Sequence, residues 1–223
     1  MNNELKKRIY TSLILALLLV GMFFYSFVMI ISLIIISIIS WIEFYALISK
    51  IFKRKSIKDK FFRNFYKFLS MLYLSLLVYF IFIIESYYFD LKIYLFYSIL
   101  IAILSDIGGL IFGKIFKGKK LTKISPNKTI SGSIGSFIFS LLLIPIFYNE
   151  FINNHNTSII FIATIAISFT SQLGDLFFSY LKRKAKVKDT SDILPGHGGI
   201  LDRIDGIIFA IPIGIYLFST LLK

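Results

Sequence analysis

The fold class this sequence predicts is an all-α polytopic membrane protein, and three observations carry that expectation. Of 223 residues 57% are hydrophobic and 17% charged, with a mean hydropathy of +0.81; that profile excludes a disordered chain, a collagen-like fibre and an ordinary soluble domain. The apolar residues fall into seven runs, most of them near the roughly 20 residues that a helix needs to cross a bilayer. The basic residues collect in alternate loops. Lys and Arg number 25 against 12 Asp and Glu, a formal charge of +13, which suits a phosphate-rich partner such as lipid headgroups, nucleotides or nucleic acid. Cysteine is absent and only His155 and His197 are present, so disulfides, thiol chemistry and a His-built metal cage are excluded.

The seven expected spans cover 9–23, 26–48, 66–84, 93–113, 132–148, 157–180 and 204–222. The first two are almost fused, and only Gly21 and the cluster Met22-Phe23-Phe24-Tyr25 offer a place to turn. The first run follows Lys6, Lys7 and Arg8 without a small-residue cleavage site, so it reads as an uncleaved span. Counting Lys and Arg, the amino terminus holds three, the 49–67 loop eight, the 114–128 loop six and the 182–203 loop six; Lys92 and Lys223 lie on the other side. Seven spans place all four basic regions on one face, so the amino terminus is expected in the cytoplasm and the carboxyl terminus outside. The outer loops, around Glu85–Lys92 and Asn149–Asn156, are short, and the Asn156-Thr157-Ser158 sequon carries little weight. The whole of 1–223 is read as one integral membrane domain: amino-terminal spans over 1–90, and a catalytic half over 91–223 with cytoplasmic loops at 114–130 and 182–203. The Ile, Phe, Lys and Asn bias points to a bacterium, hence to its inner membrane.

Candidate chemistry lies where charge enters apolar sequence, which costs a few kcal/mol per ionisable group. Asp106 precedes Gly108 and Gly109, with Gly113 further on; glycines there let a helix or ligand approach the backbone. Asp175 shares a helical face with Gln172 and Ser179, and Lys182 lies two turns on, giving a polar stripe that descends to the cytoplasmic surface. Glu43, beside Trp41, Phe44 and Tyr45, reads as an interfacial anchor. The 182–206 segment alternates cations with Asp189, Asp192, Asp202 and Asp205 and folds back through Pro195-Gly196-His197-Gly198-Gly199. Asp202 and Asp205, three apart at a helix start, share a face near unpaired backbone N–H groups. Carboxylates beside lysines, with glycines giving backbone access, are what a divalent cation and a polyphosphate require, since Mg²⁺ prefers one or two carboxylates plus phosphate oxygens. The stretch Gly113 to Lys120 misses the Walker pattern because Lys120 stands where Ser or Thr is needed. Ser125 and Lys128 remain as phosphate contacts, and the small residues Ser131-Gly132-Ser133-Ile134-Gly135 read as helix packing.

At these residues the chain resembles the CTP-dependent phosphatidate cytidylyltransferase, or CDP-diacylglycerol synthase, family. The family signature is filled by Ser179, Lys182, Arg183, Lys188, Asp189, Pro195, His197, Gly198, Gly199, Asp202, Arg203 and Asp205, twelve positions within 27 residues. Gln172-Leu173-Gly174-Asp175 agrees as well, as does the weaker stretch from Asp106 to Gly135. The chain departs from the family at Gly109-Leu110, where a small residue and an aromatic are usual, and at Ile130-Ser131, where an aromatic and a Glu are usual. The resemblance implies the reaction of CTP with phosphatidate to give CDP-diacylglycerol and pyrophosphate. It implies catalytic roles for Asp175, Asp202, Asp205, Lys188, Asp189 and His197, with Asp175, Asp202 and Asp205 as ligands of Mg²⁺ and a second cation beside it. Lys182, Arg183, Arg203, Ser125, Lys128, Gly198, Gly199 and Asp106 are the implied substrate and phosphate contacts. The implied partners are CTP, phosphatidate, the bilayer and a second copy of the chain, with no nucleic acid. A CTP-dependent polyprenol or phytol kinase is the nearest competing reading, and a transporter using Asp106 and Asp175 as relay groups is the competitor from another class. The pattern of a CDP-alcohol phosphotransferase does not occur.

Overall fold

The structure, a computed structural model, describes residues 3–53, 56–122, 125–147 and 157–221. Among them the chain is helical, and its only β features are two isolated bridges, Lys120 to Thr129 and Leu194 to Gly198. The helices are α1 (Asn3–Phe24), α2 (Ser26–Ile51), α3 (Ile57–Tyr87), α4 (Phe89–Phe116), α5 (Ile130–Leu141), α6 (Thr157–Lys184), α7 (Leu201–Ile204) and α8 (Ile207–Leu221). Five of these, α1 to α4 and α6, are long and apolar enough to cross a membrane. The other two expected spans are shorter helices, of 12 residues in α5 and 15 in α8. In α5 the cause is local: from Leu142 the backbone bonds shorten to three residues back, as from Leu143 to Ser140 and Ile144 to Leu141, and Pro145 supplies no N–H. The expected outer loop Asn149–Asn156, with the start of its sequon, lies outside the described residues.

The near-fused first spans do part at Tyr25, whose backbone is extended (φ −123°, ψ 109°) between α1 and α2. Helix α3 begins at Ile57, well ahead of the expected 66, and its extra turns carry Lys58, Lys60 and Arg63 among Phe61, Phe62 and Phe65.

The chain forms two compact units, each assembled from separate stretches. The first takes residues 1–87 and 181–204, the second 88–180 and 205–223. In the first unit α2 packs against α1, α3 and the short α7. Trp41 donates its indole N–H to the Lys67 carbonyl (3.3 Å), and the Lys67 ammonium sits 3.2 Å from the centre of the Tyr45 ring, a cation–π contact.

In the second unit the core gathers Tyr94, Tyr97, Ile101, Ile160, Ile167, Ala210 and Phe218. Tyr94 stacks on Phe218 (4.6 Å between rings), and the Tyr97 hydroxyl meets Thr164 at 2.6 Å. Helices α4 and α5 meet backbone to backbone. A Cβ on Gly108 would overlap the Gly135 carbonyl and approach Phe139 to 2.7 Å, and one on Gly132 would lie 2.8 Å from the Gly109 carbonyl. Ser136 donates to the Ser105 carbonyl across the seam (2.7 Å). The small residues of 105–113 and 131–136 therefore serve helix packing, as their spacing predicts.

Candidate active site

In the second unit the group is built around Lys128. Pro126 follows Ser125 in a turn closed by the Lys128 N–H on the Ser125 carbonyl (3.0 Å), and Leu121 and Ile130 pair with Lys128 and Lys119. The resulting hairpin delivers Lys128 to the start of α5, where the Thr129 hydroxyl caps the Gly132 N–H at 3.0 Å. The Lys128 ammonium pairs with the Asp175 carboxylate, each side chain about one quarter exposed. One turn before Asp175, Gln172 accepts from the Ser133 hydroxyl (2.6 Å), so the polar stripe on α6 faces the start of α5. Asp205 is 4% exposed and accepts from the Gly206 N–H (2.9 Å). Its backbone lies against α6: a Cβ on Gly174 would come within 2.7 Å of the Asp205 carbonyl oxygen. Asp175 and Asp205 thus project from adjoining backbone. Asp106 is exposed on α4.

In the first unit the signature loop is a closed device. Helix α6 ends with Lys186 in the left-handed region (φ 57°), Lys186 donating to Arg183 and Val187 to Lys182, the Schellman pattern. Leu194-Pro195-Gly196-His197 is a type II turn, with Pro at the second position, Gly196 at φ 76° and the His197 N–H on the Leu194 carbonyl (2.9 Å). Asp202 joins the two ends. Its Oδ1 accepts from Lys182 (2.8 Å), and its Oδ2 from the Thr190 N–H (2.8 Å), the Thr190 hydroxyl (2.9 Å) and the Gly199 N–H (3.0 Å). Burial would raise this carboxyl, but Lys182 and the Thr190 and Gly199 N–H groups outweigh it and hold Asp202 below the usual carboxylate range. Arg203 clamps the His197 carbonyl with two donors, at 2.9 and 2.6 Å. His197 is 3.3 Å from the Ser12 hydroxyl, and burial together with the Arg203 and Arg8 cations holds its imidazole below the ordinary range, against the Pro195 carbonyl that raises it. That direction favours the neutral ring. Arg183, Lys188 and Asp189 are exposed. Gly198 (φ 79°) packs against Asp202 and Asp189, while Gly199 is buried and makes room for Thr190 and Glu43.

Glu43 corrects the sequence reading. It is no interfacial anchor: it is 2% exposed and accepts four hydrogen bonds from residues 190–201. A lone acid inside an apolar run was the available signal, but its partners lie 147 to 158 residues away.

The implied Mg²⁺ can be weighed against this donor set. Among the described residues no group of three or more His, Cys, Asp or Glu side chains converges on one point. Mg²⁺ asks for less: one or two carboxylates with substrate oxygens and water. Asp175, held by a single lysine and partly exposed, fits that demand, and Asp205 lies on adjoining backbone with its side chain buried; Asp202 is already engaged by Lys182, the Thr190 and Gly199 N–H groups and the Thr190 hydroxyl it shares with Glu43.

A model of a family described as the cytidylyltransferase family matches residues 1–221. Three similar proteins are each named phosphatidate cytidylyltransferase. The one from Staphylococcus haemolyticus (strain JCSC1435) is 46% identical over 123 residues, 54% of this chain and 46% of that protein. The one from Staphylococcus epidermidis (strain ATCC 12228 / FDA PCI 1200) is 44% identical over 130 residues, 57% and 50% of the two chains. The one from Staphylococcus aureus (strain COL) is 46% identical over 122 residues, 54% and 46%. The matched stretch spans about half the length of these relatives. With a match along nearly its whole length, the chain belongs to the cytidylyltransferase family.

Proposed function

We propose that the chain transfers the cytidylyl group of CTP to phosphatidate in a Mg²⁺-dependent reaction, giving CDP-diacylglycerol for phospholipid synthesis. The observation that carries this reading is the pair of carboxylate–lysine contacts, Lys128 with Asp175 and Lys182 with Asp202, on a chain of this family. A phosphate oxygen of phosphatidate attacks the α-phosphorus of CTP, the bond from that phosphorus to the β-phosphate bridging oxygen breaks, and pyrophosphate leaves. The attacking oxygen is already ionised at neutral pH, so no general base is required. The difficulty is electrostatic, because two polyanions must meet. Lys128, Lys182, Arg183, Lys188 and Arg203 offset that repulsion, and His197 and Ser125 supply hydrogen bonds. Asp175 and Asp205 would hold the metal, which when bound would supply positive charge to offset that of the phosphates. A phosphate drawn to Lys128 competes with Asp175 for its ammonium and leaves that carboxylate open for the cation.

The proposal places seven membrane-embedded segments in a bacterial inner membrane, with the amino terminus and the loops at 114–130 and 182–203 in the cytoplasm and the carboxyl terminus outside. The basic loops support it, as does Thr11, early in α1, donating to the Pro195 carbonyl (3.0 Å), which sets the start of α1 beside the 182–203 loop within the first unit.

Purified protein given α-labelled CTP with phosphatidate is expected to form labelled CDP-lipid and pyrophosphate, and to stop when excess chelator removes divalent cations. Undiminished turnover in chelator would refute the metal. Given γ-labelled CTP and a polyprenol instead, formation of a labelled polyprenyl phosphate together with CDP would establish the competing kinase reading.

A further inference from the structure

We infer that Glu43 is a positioning residue for this reaction, setting the Asp202 carboxylate through the hydroxyl of Thr190; the inference rests on the cytidylyltransferase reading above. Glu43 Oε1 accepts from the Ser191 hydroxyl (2.6 Å) and the Ile200 N–H (3.1 Å), and Oε2 from the Thr190 hydroxyl (3.0 Å) and the Leu201 N–H (2.8 Å). Three of these donors serve Glu43 alone; the fourth, the Thr190 hydroxyl, has a single proton that Glu43 and Asp202 share. The four come from both ends of the signature loop, residues 190–191 on one side and 200–201 on the other. The Thr190 hydroxyl is also 2.9 Å from Asp202 Oδ2, and Asp202 in turn holds Lys182. Glu43, Thr190, Asp202 and Lys182 form one continuous network within the first unit. Gly199 packs where a Cβ would strike Thr190 and come within 2.5 Å of Glu43 Oε2, so the loop closes on Glu43 with no slack.

A carboxylate buried in an apolar helix is an expensive way to tie down a loop if stability is all that is gained. An apolar side chain packs that space at lower cost, but it cannot fix the backbone N–H groups of residues 200 and 201 and the hydroxyls of 190 and 191 together. Orientation of Asp202 and Lys182 is what this arrangement supplies.

The test uses the full chain with CTP, phosphatidate and Mg²⁺, correcting every rate for the folded fraction. Glu43→Gln places an amide donor against two of the four donors. Thr190→Val removes only the shared hydroxyl at nearly constant shape, and Thr190→Ser restores it. Both Glu43→Gln and Thr190→Val should lower kcat at least ~10-fold with the KM for CTP changed less than ~3-fold, and Thr190→Ser should stay within ~3-fold of the wild type. The double variant should be no more than ~3-fold slower than the worse single one, because both changes break one network. Amide exchange at Gly199 to Leu201 should accelerate in Glu43→Gln. If Glu43→Gln does not fold, the Thr190 pair decides alone. Unchanged kcat in the folded fraction, with only a lower melting temperature, would reduce Glu43 to a staple and overturn the inference; so would multiplying effects in the double variant. An inactive wild type overturns the activity and this role with it, which is distinct from an active wild type matched by its variants.

Discussion

At the scale of single residues the two carboxylate–lysine pairs differ in availability. Lys128 and Asp175 are each about one quarter exposed and hold one another by one contact, so an incoming phosphate can compete for the lysine. Lys128→Gln is expected to raise the KM for CTP or phosphatidate about 10-fold or more, the worth of a hydrogen bond to a charged group, read from initial rates at varied substrate. Asp202 is 4% exposed at its side chain and fully engaged. Asp202→Asn should cut turnover by ~100-fold or more and loosen the loop, since its amide nitrogen would face either the Lys182 ammonium or the Thr190 and Gly199 N–H donors. Its pH behaviour follows in sign from its lowered pKa. A carboxyl held below its unfolded value contributes stability that is complete above about pH 4 and lost as pH falls through the lowered value. Protection of the Thr190 and Gly199 amides, taken relative to their intrinsic exchange, should therefore fall as pH drops below about 4, and Asp202→Asn should remove that dependence. His197 runs the other way in charge: its lowered pKa favours the neutral ring, so acidification below about 6.5 works against the folded loop.

At the scale of elements, the α4–α5 seam positions Lys128 by bringing the start of α5 against α4. Gly108→Ala forces a Cβ into the Gly135 carbonyl and the Phe139 ring, and should cost about 1–3 kcal/mol, measured as loss of thermal stability in detergent. Gly21→Ala is the control of opposite sign. Its Cβ would meet only Val28 at 3.5 Å, and a helical Gly to Ala exchange gains about 0.5–1 kcal/mol. The glycine spacing on both helices was readable from the chain because close backbone approach demands a missing Cβ wherever it occurs. The shortness of α5 was not: residues 142–147 remain apolar while turning, and hydropathy does not distinguish an apolar turn from an apolar helix.

For the whole molecule, the strongest expectation concerns sidedness. The chain contains no cysteine, so single cysteines report without background. Ile57→Cys and Ile193→Cys, both at exposed positions on basic segments, should react with an impermeant maleimide from the cytoplasmic side of inverted vesicles. Tyr87→Cys, exposed at the far end of α3, should react only from the opposite side. Ile193→Cys and Tyr87→Cys labelling from one side would break the proposed topology.

The all-helical membrane character, the basic loops and the acids and lysines of the signature were set by the sequence, because hydrophobic length and charge act locally and each run carries its own signal. The pairings were decided by the tertiary structure. Asp175 takes Lys128 from 47 residues away, and Glu43 takes Leu201 from 158 residues away. No local pattern encodes such partners; they follow from which helix faces have lost their water and must satisfy buried charge with whatever donors folding brings alongside.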